Sequence, residues 1–64
     1  MNDEEMNMSM RKFLKQVGVT SQQQIEQAIR ASGKSSGSVK LKAVITSDDI
    51  DLTHEINGEI HLGD

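Results

Sequence analysis

The chain has 64 residues, a net charge of −3 and no cysteine, tryptophan, tyrosine or proline. A chain of this length forms one small domain, residues 1–64, whose core rarely supplies more than roughly 3–5 kcal/mol of stability. The lack of cysteine excludes disulfides and thiolate zinc sites, so we expect the chain to gain stability by forming a homodimer.

The first predicted element is a helix over about residues 3–17. Its apolar residues recur at helical spacing and form a single stripe. Asn2 and Glu5 fit a capping box at its start, and Gly18 suits a left-handed residue at its end. The sequence therefore predicts a helix that stops before Val19.

The second predicted element is a helix over about residues 21–31. Thr20 and Gln23 fit a capping box, and Glu26 and Arg30 fit an i, i+4 ion pair. The short link between the two predicted helices indicates a compact corner or an αα-hairpin. The apolar stripes of the two helices contain Met6, Met10, Phe13, Leu14, Ile25 and Ile29.

Residues 32–38 are rich in serine and glycine and predict a flexible connector. This segment contains Gly33-Lys34-Ser35, which resembles the end of a phosphate-binding loop. Ala28 stands where that motif needs a glycine, and a helix precedes it where the motif needs a strand. We therefore reject a phosphate-binding loop.

Strict alternation of apolar and polar residues predicts a β-hairpin over residues 39–62, with strands at about 39–46 and 50–62. Loops of even length keep the apolar residues on one face, and either Thr46–Asp49 or the pair Asp48-Asp49 would serve. An odd-length loop is excluded, because it would mix apolar with polar positions. The helices are expected to cover Leu41, Ala43, Ile45, Leu52 and Ile56.

Asn57-Gly58 leaves two interpretations open. It is a hairpin-turn signal, which would create a short third strand, or Gly58 marks a bulge or bend in one long strand. We favour the long strand, which would overhang its partner and offer an unpaired edge to a second copy of the chain. The candidate residues for this self-association edge are Gly58, Ile60 and Leu62.

Nothing in the sequence predicts catalysis, a metal site or a cofactor. His54 and His61 point to opposite faces of one continuous strand, so they do not converge on a metal. Asp48, Asp49 and Asp51 lack the spacing, glycine and terminal glutamate of a calcium loop. No nucleophile elbow or oxyanion loop is present. We therefore expect a protein that is not an enzyme and has no catalytic, cofactor-binding or metal-binding residues.

DNA binding is the alternative function. Residues 13–31 resemble a degenerate helix-turn-helix with Gly18 in the turn, and the hairpin resembles a wing. The hairpin is acidic, a third helix is missing, and the Lys and Arg residues that phosphate contacts need are few. We therefore disfavour nucleic acid as a partner. In this alternative the candidate phosphate contacts are Arg11, Lys12, Lys15 and Arg30.

Charge is segregated along the chain. Residues 1–9 are acidic, residues 10–42 contain seven basic residues and one acidic residue, and residues 43–64 are acidic. Such blocks can guide self-association or can simply form solvated faces. The acidic start and the lack of a run of about 18 apolar residues disfavour a secretion signal and a membrane span. We expect a cytoplasmic protein without a membrane partner.

Several segments carry a resemblance to a known family. They are Arg-Lys-Phe-Leu-Lys at residues 11–15, Val-Gly-Val-Thr-Ser at 17–21, Ile25-Glu26 with Ala28, and His-Glu-Ile-Asn-Gly-Glu-Ile-His-Leu at 54–62. Nearly the whole chain resembles a family of short bacterial proteins, common in proteobacteria and classed as a domain of unknown function. The resemblance implies a small stand-alone cytoplasmic protein, with no established activity, cofactor or catalytic residue.

These observations together predict an α+β fold, in which two N-terminal helices pack on an antiparallel β-hairpin and a second copy completes the sheet. The function they favour is a non-catalytic protein-interaction or assembly module that acts as a homodimer. The sequence does not identify a further protein partner.

Overall fold

The structure, a computed structural model, describes residues 1–63. It contains one helix, α1 (Asp3–Ser32), followed by two strands, β1 (Gly37–Ser47) and β2 (Leu52–Gly63). The strands pair as a two-stranded antiparallel sheet. The α+β class is therefore confirmed, whereas the prediction of two helices is wrong.

The chain divides into two compact units. The first unit, Met1–Lys34, contains α1, and the second unit begins at Ser35 and contains the hairpin. A single helix and a two-stranded sheet are each one layer deep, and one layer cannot enclose a side chain. None of residues 1–63 is buried. The side chains predicted to form a core are therefore exposed or half-buried on the faces of their own units.

The N-terminus of α1 is capped as the sequence predicts. Asn2 has extended backbone (φ −97°, ψ 107°), and its Oδ1 accepts a hydrogen bond from the Glu5 backbone N–H at 3.1 Å. Asp3, Glu4 and Glu5 occupy the first turn, where negative charge is favoured by the helix dipole. Asn2 is thus confirmed as the N-cap.

The predicted break near Gly18 does not occur. Gly18 lies inside α1, and the Thr20 hydroxyl, predicted to cap a second helix, donates to the Gln16 carbonyl oxygen at 2.8 Å. An interior glycine costs only about 1 kcal/mol relative to alanine, and the chain has no proline to interrupt the helix. The helices predicted over 3–17 and 21–31 are therefore parts of one helix.

Gly33, rather than Gly18, ends the helix. It has the left-handed backbone (φ 75°, ψ 0°) that glycine adopts without strain, and its N–H donates to the Arg30 carbonyl oxygen at 3.4 Å. The Ser32 hydroxyl donates to the Ile29 carbonyl oxygen at 2.6 Å. These bonds satisfy carbonyl groups that the last turn would otherwise leave unpaired.

The segment between α1 and β1 is shorter than predicted. Only residues 33–36 separate the two elements, instead of the predicted connector 32–38. The Lys34 backbone N–H donates to the Ser32 hydroxyl oxygen at 3.1 Å, so the start of this segment is tied to the helix end. Gly33-Lys34-Ser35 follows a helix C-terminus, where the dipole disfavours a phosphate.

The hairpin turns through a four-residue loop, Asp48–Asp51, between the paired residues Ser47 and Leu52. The Ser47 hydroxyl oxygen accepts hydrogen bonds from the backbone N–H groups of Asp49 (3.1 Å) and Ile50 (3.4 Å). A serine hydroxyl at the start of a turn commonly binds the backbone in this way. Ser47 therefore closes the loop.

The even loop length is confirmed, but both predicted loop positions, Thr46–Asp49 and Asp48-Asp49, are wrong. The strands consequently differ from the predicted 39–46 and 50–62. The observed loop lies between strands of 11 and 12 residues, so every β1 residue has a partner in β2. Strands of matched length allow more backbone N–H and C=O groups to form hydrogen bonds with each other. The alternation of apolar and polar residues does not show this, because it is the same for each even-length loop.

Asn57-Gly58 lies within β2, so the interpretation of one long strand is confirmed. Gly58 pairs with Leu41. The predicted overhang of residues 58–62 is wrong, because β1 begins at Gly37 and pairs with residues 58–61 and with Gly63, on either side of Leu62. The ladder shifts by one residue at its end, where Gly37 pairs with Gly63.

Replacing Gly18 by alanine is expected to stabilise the protein by about 0.5–1 kcal/mol, because alanine has the higher helix propensity. A Cβ at this position meets no atom within 4 Å. Urea unfolding followed by far-UV circular dichroism measures the effect.

The matched control is Gly33→Ala, which also has open space around its Cβ but has φ 75°. This variant is expected to lose about 1–2 kcal/mol, because the left-handed conformation strains alanine. Loss of stability in Gly18→Ala would contradict the continuous helix.

Candidate interaction surfaces

α1 carries one apolar stripe along most of its length. The three- and four-residue spacing that begins at Met6 continues past Gly18 to Ile29 without a change of phase. Phe13 and Leu14 are each 53% exposed. The helix stripe comprises the apolar residues Met6, Met10, Phe13, Leu14, Val17, Ile25, Ala28 and Ile29, with the polar Ser21 between Val17 and Ile25.

Basic residues lie on the other side of α1. Arg11, Lys12 and Lys15 fall within about one and a half turns, and Arg30 lies about 22 Å further along the axis than Lys15. Arg30 is bound to Glu26, with Nη2 and Nε at 3.0 and 3.2 Å from Oε1. The predicted Glu26–Arg30 pair is confirmed. The four candidate phosphate contacts therefore do not form one patch.

The geometry of the predicted helix-turn-helix is wrong. Its turn was placed at Gly18, which lies inside a helix that runs through the whole of residues 13–31. A helix-turn-helix needs two helices at a large angle, so that the second can enter the major groove. Residues 1–63 contain no second helix to take that role.

One face of the hairpin is apolar, as predicted. Val39 lies opposite Ile60, and Ala43 lies opposite Ile56. Ile60 is 38% exposed and Ile56 45%. A two-stranded sheet with such a face is only marginally stable alone in water. The hairpin face comprises Val39, Leu41, Ala43, Ile45, Ser47, Leu52, His54, Ile56, Gly58 and Ile60.

The opposite face of the hairpin carries charges of both signs. Lys40 lies opposite Glu59, and the Lys42 Nζ lies 3.9 Å from the Glu55 Oε1. The other Glu55 carboxylate oxygen accepts a hydrogen bond from the Asn57 amide at 3.2 Å. Cross-strand pairs of opposite charge favour this register and keep the face solvated.

The candidate self-association residues Gly58, Ile60 and Leu62 lie in β2. Gly58 and Ile60 are paired with Leu41 and Val39, so they do not extend beyond β1. The described sheet has two strands, and each strand therefore has an outer edge along its whole length. Pairing of a strand edge with a second copy stays a prediction. It no longer has the support of a β2 segment that extends beyond β1, because β1 pairs with that segment.

The titratable side chains do not converge on a site. His54 lies on the hairpin face opposite Ile45, whereas His61 lies on the other face opposite Ser38. Within residues 1–63, no three His, Cys, Asp or Glu side chains are close enough together to hold a metal ion. The described chain therefore offers no candidate metal centre.

The first turns of α1 contain a shallow depression that is open to solvent. Its lining residues are all exposed, so water is not excluded from it. The depression is lined by Asn2, Glu4, Glu5, Met8, Ser9 and Lys12.

Over residues 1–63, α1 does not combine the length and apolarity that crossing a membrane requires.

The Lys42–Glu55 pair is expected to stabilise the protein by less than about 1 kcal/mol, because its side chains are 60% and 52% exposed. A double-mutant cycle with Lys42→Ala and Glu55→Ala measures the coupling by urea unfolding. The same cycle on Glu26 and Arg30 is the control, with an expected coupling of about 0.3–0.5 kcal/mol. A Lys42–Glu55 coupling of several kcal/mol would contradict a solvated face.

Residues 1–63 match the family described as "Family of unknown function (DUF6494)". Comparisons with curated proteins and with solved structures give no match. The family match covers α1 and both strands, and it agrees with the resemblance to a family of short proteins of unknown function. The chain belongs to DUF6494, a family of unknown function.

Proposed function

We propose that this protein is a non-catalytic protein-interaction or assembly module that acts as a homodimer. The observation that carries this proposal is that both units present an apolar face while none of residues 1–63 is buried. A two-stranded hairpin is marginal alone in water, and most of the stability of a helix in a protein comes from packing its apolar face, so each unit needs a second apolar layer. A second copy of the chain can supply that layer.

The composition supports association as the source of stability. Small chains are commonly stabilised by disulfides, by a structural metal or by oligomerisation. Cysteine is absent, which removes the disulfides and the thiolate zinc sites. Oligomerisation would cover the exposed helix stripe and hairpin face, so it fits the structure as the source of stability.

The proposal that the protein is not an enzyme rests on the exposure of its polar side chains. Active sites are concave, and they place a few polar groups where water is largely excluded. The Asp and Glu side chains of residues 1–63 and both histidines, His54 and His61, are exposed. Water weakens the electrostatic interactions of such groups, and catalysis depends on those interactions. We therefore favour a function in association over a function in catalysis.

Methionines on α1 support a protein as the partner. Met6 and Met10 are 39% and 48% exposed within the helix stripe, and Met8 is 72% exposed outside it. Methionine side chains are flexible and polarizable, so they adapt to different apolar partners. We propose that these residues help the dimer to contact other proteins.

DNA binding is not proposed, because one continuous helix replaces the two helices on which that alternative depended. The remaining basic cluster, Arg11, Lys12 and Lys15, offers few phosphate contacts to a chain of net charge −3. A cytoplasmic location and a proteobacterial distribution of the family stay predictions.

Sedimentation equilibrium over a hundredfold concentration range is expected to give a species of twice the 7.1 kDa chain mass. Circular dichroism on the same samples should give a Tm that rises with concentration, because association stabilises only the folded state. A folded monomer whose Tm is independent of concentration would contradict the proposed homodimer.

A further inference from the structure

We propose that the second copy pairs with the outer edge of β2, so that the two hairpins form one four-stranded antiparallel sheet with its two-fold axis at Gly58. This inference rests on the proposed homodimer and specifies its interface. The strand order across the dimer would be β1, β2, and then β2 and β1 of the second copy. The continuity of the β2 edge, the charges along β2 and the position of the hairpin faces support this arrangement.

The outer edge of β2 is long and continuous. β2 has 12 residues, and in the described sheet its neighbour is β1, on one side. Gly58 does not interrupt the strand, because its φ is not positive and the register shift lies at the end of the ladder, beside Gly37. Backbone N–H and C=O groups along such an edge can bind another strand by β-strand addition.

Charge distinguishes the edge of β2 from that of β1. β1 contains Lys40 and Lys42 and no acidic residue, so it cannot pair opposite charges with its own copy. Lysines on an edge strand also oppose the pairing of that edge. β2 contains Glu55 and Glu59 together with His61, whose imidazole can bind a carboxylate. The edge of β2 is therefore the one that a second copy can match.

The two glutamates restrict the register of a β2 pair. Residues that lie opposite each other in such a symmetric pair are equally far from the two-fold axis. An axis at Glu55, Asn57 or Glu59 would place two glutamates directly opposite each other, which destabilises a sheet. An axis at Ile56 places neither glutamate opposite a histidine. An axis nearer to either end of β2 shortens the overlap to about half of the strand or less.

The remaining register has its axis at Gly58. It places Glu55 opposite His61 of the second copy, and Asn57 opposite Glu59 of the second copy. The imidazole and the amide each have an N–H group that can donate a hydrogen bond to a carboxylate. Each pair occurs twice because of the two-fold symmetry. Cross-strand pairs of this kind give the register its specificity, while the backbone bonds give affinity.

The same register also brings apolar side chains together. Ile56 would lie opposite Ile60 of the second copy, and the two side chains are 45% and 38% exposed in a single chain. A two-fold axis perpendicular to the sheet keeps both hairpin faces on the same side, so a second layer on that side covers both copies. A sheet of more than two strands with an apolar face is also more stable than a single hairpin.

Disulfide formation at residue 58 tests the position of the axis, because the natural chain has no cysteine. Gly58→Cys is expected to fold, since a Cβ at this position meets no atom within 4 Å and φ is not positive. Opposite residues of an antiparallel pair have Cα atoms about 4.5–5.5 Å apart, which a disulfide can span. Oxidation is expected to join residue 58 of the two copies, as measured by mass spectrometry.

Ala43→Cys is the matched control, because it also places a cysteine at a small residue of the hairpin face. In the proposed dimer the two copies of β1 are the outer strands, so the two copies of residue 43 lie at least about 14 Å apart and cannot be joined. Efficient joining at residue 43 but not at residue 58 would overturn the contact between the β2 edges.

Sedimentation equilibrium separates this inference from the proposed function. A dimer that is not joined at residue 58 would overturn the β2 contact but leave the homodimer. A monomer would instead overturn the proposed function. Association that continues beyond the dimer would overturn the symmetric contact, because pairing of β1 with β2 of another copy repeats without closing.

A charge at residue 61 tests the same register without cysteine. His61→Glu places a carboxylate opposite Glu55 of the second copy, so it is expected to weaken dimerisation about threefold to tenfold over the two pairs. His61→Lys is expected to dimerise at least as tightly as the natural chain. Within its own hairpin residue 61 lies opposite Ser38, so neither variant opposes a like charge there.

Thr46→Glu is the matched control for these variants. Residue 46 lies on the same face of the hairpin as His61, but it belongs to β1 and is outside the proposed interface. Its dissociation constant is expected to be unchanged, as measured by sedimentation equilibrium at low ionic strength, with circular dichroism to check folding. A His61→Glu variant that dimerises as tightly as His61→Lys would overturn the register. An equal loss of affinity in Thr46→Glu would also overturn it.

Discussion

Apolar surface has to be removed from water before a fold is stable, and one layer of secondary structure cannot do this alone. Both units of this chain are one layer deep, and none of residues 1–63 is buried. Stability and association are therefore linked in the proposed dimer, because the contact that excludes water also joins the copies. The same constraint leaves the Asp, Glu and His side chains of residues 1–63 exposed to water.

The continuity of α1 determines which surfaces the first unit can present. Its ends are fixed by local bonds, from the Asn2 side chain at the start and around the left-handed Gly33 at the end. Between them the apolar residues stay in phase across Gly18, so a single stripe replaces two short ones. In proteins most of the stability of a helix comes from packing such a stripe against another apolar surface, because helix propensity alone contributes little.

The two faces of the hairpin differ in chemistry and in role. Side chains on one face are apolar, and those on the other pair opposite charges, as in Lys40 with Glu59 and Lys42 with Glu55. Exposed pairs of this kind add little stability, but they oppose registers that would bring like charges together. The charged face specifies the pairing and keeps its side of the sheet in water.

The sequence by itself determined the α+β class, the Asn2 cap, the Glu26–Arg30 pair and the apolar face of the hairpin. Each follows from spacing within one element, where periodicity and short-range contacts suffice. The continuity of α1 at Gly18 and the position of the hairpin loop were decided only by the tertiary structure. Gly18 can end a helix or continue it at a cost of about 1 kcal/mol, and the alternative loops give the same alternation. Whether the helix continues through Gly18, and where the loop lies, depends on the hydrogen bonds of the whole helix and the whole hairpin. A local sequence pattern does not contain that information.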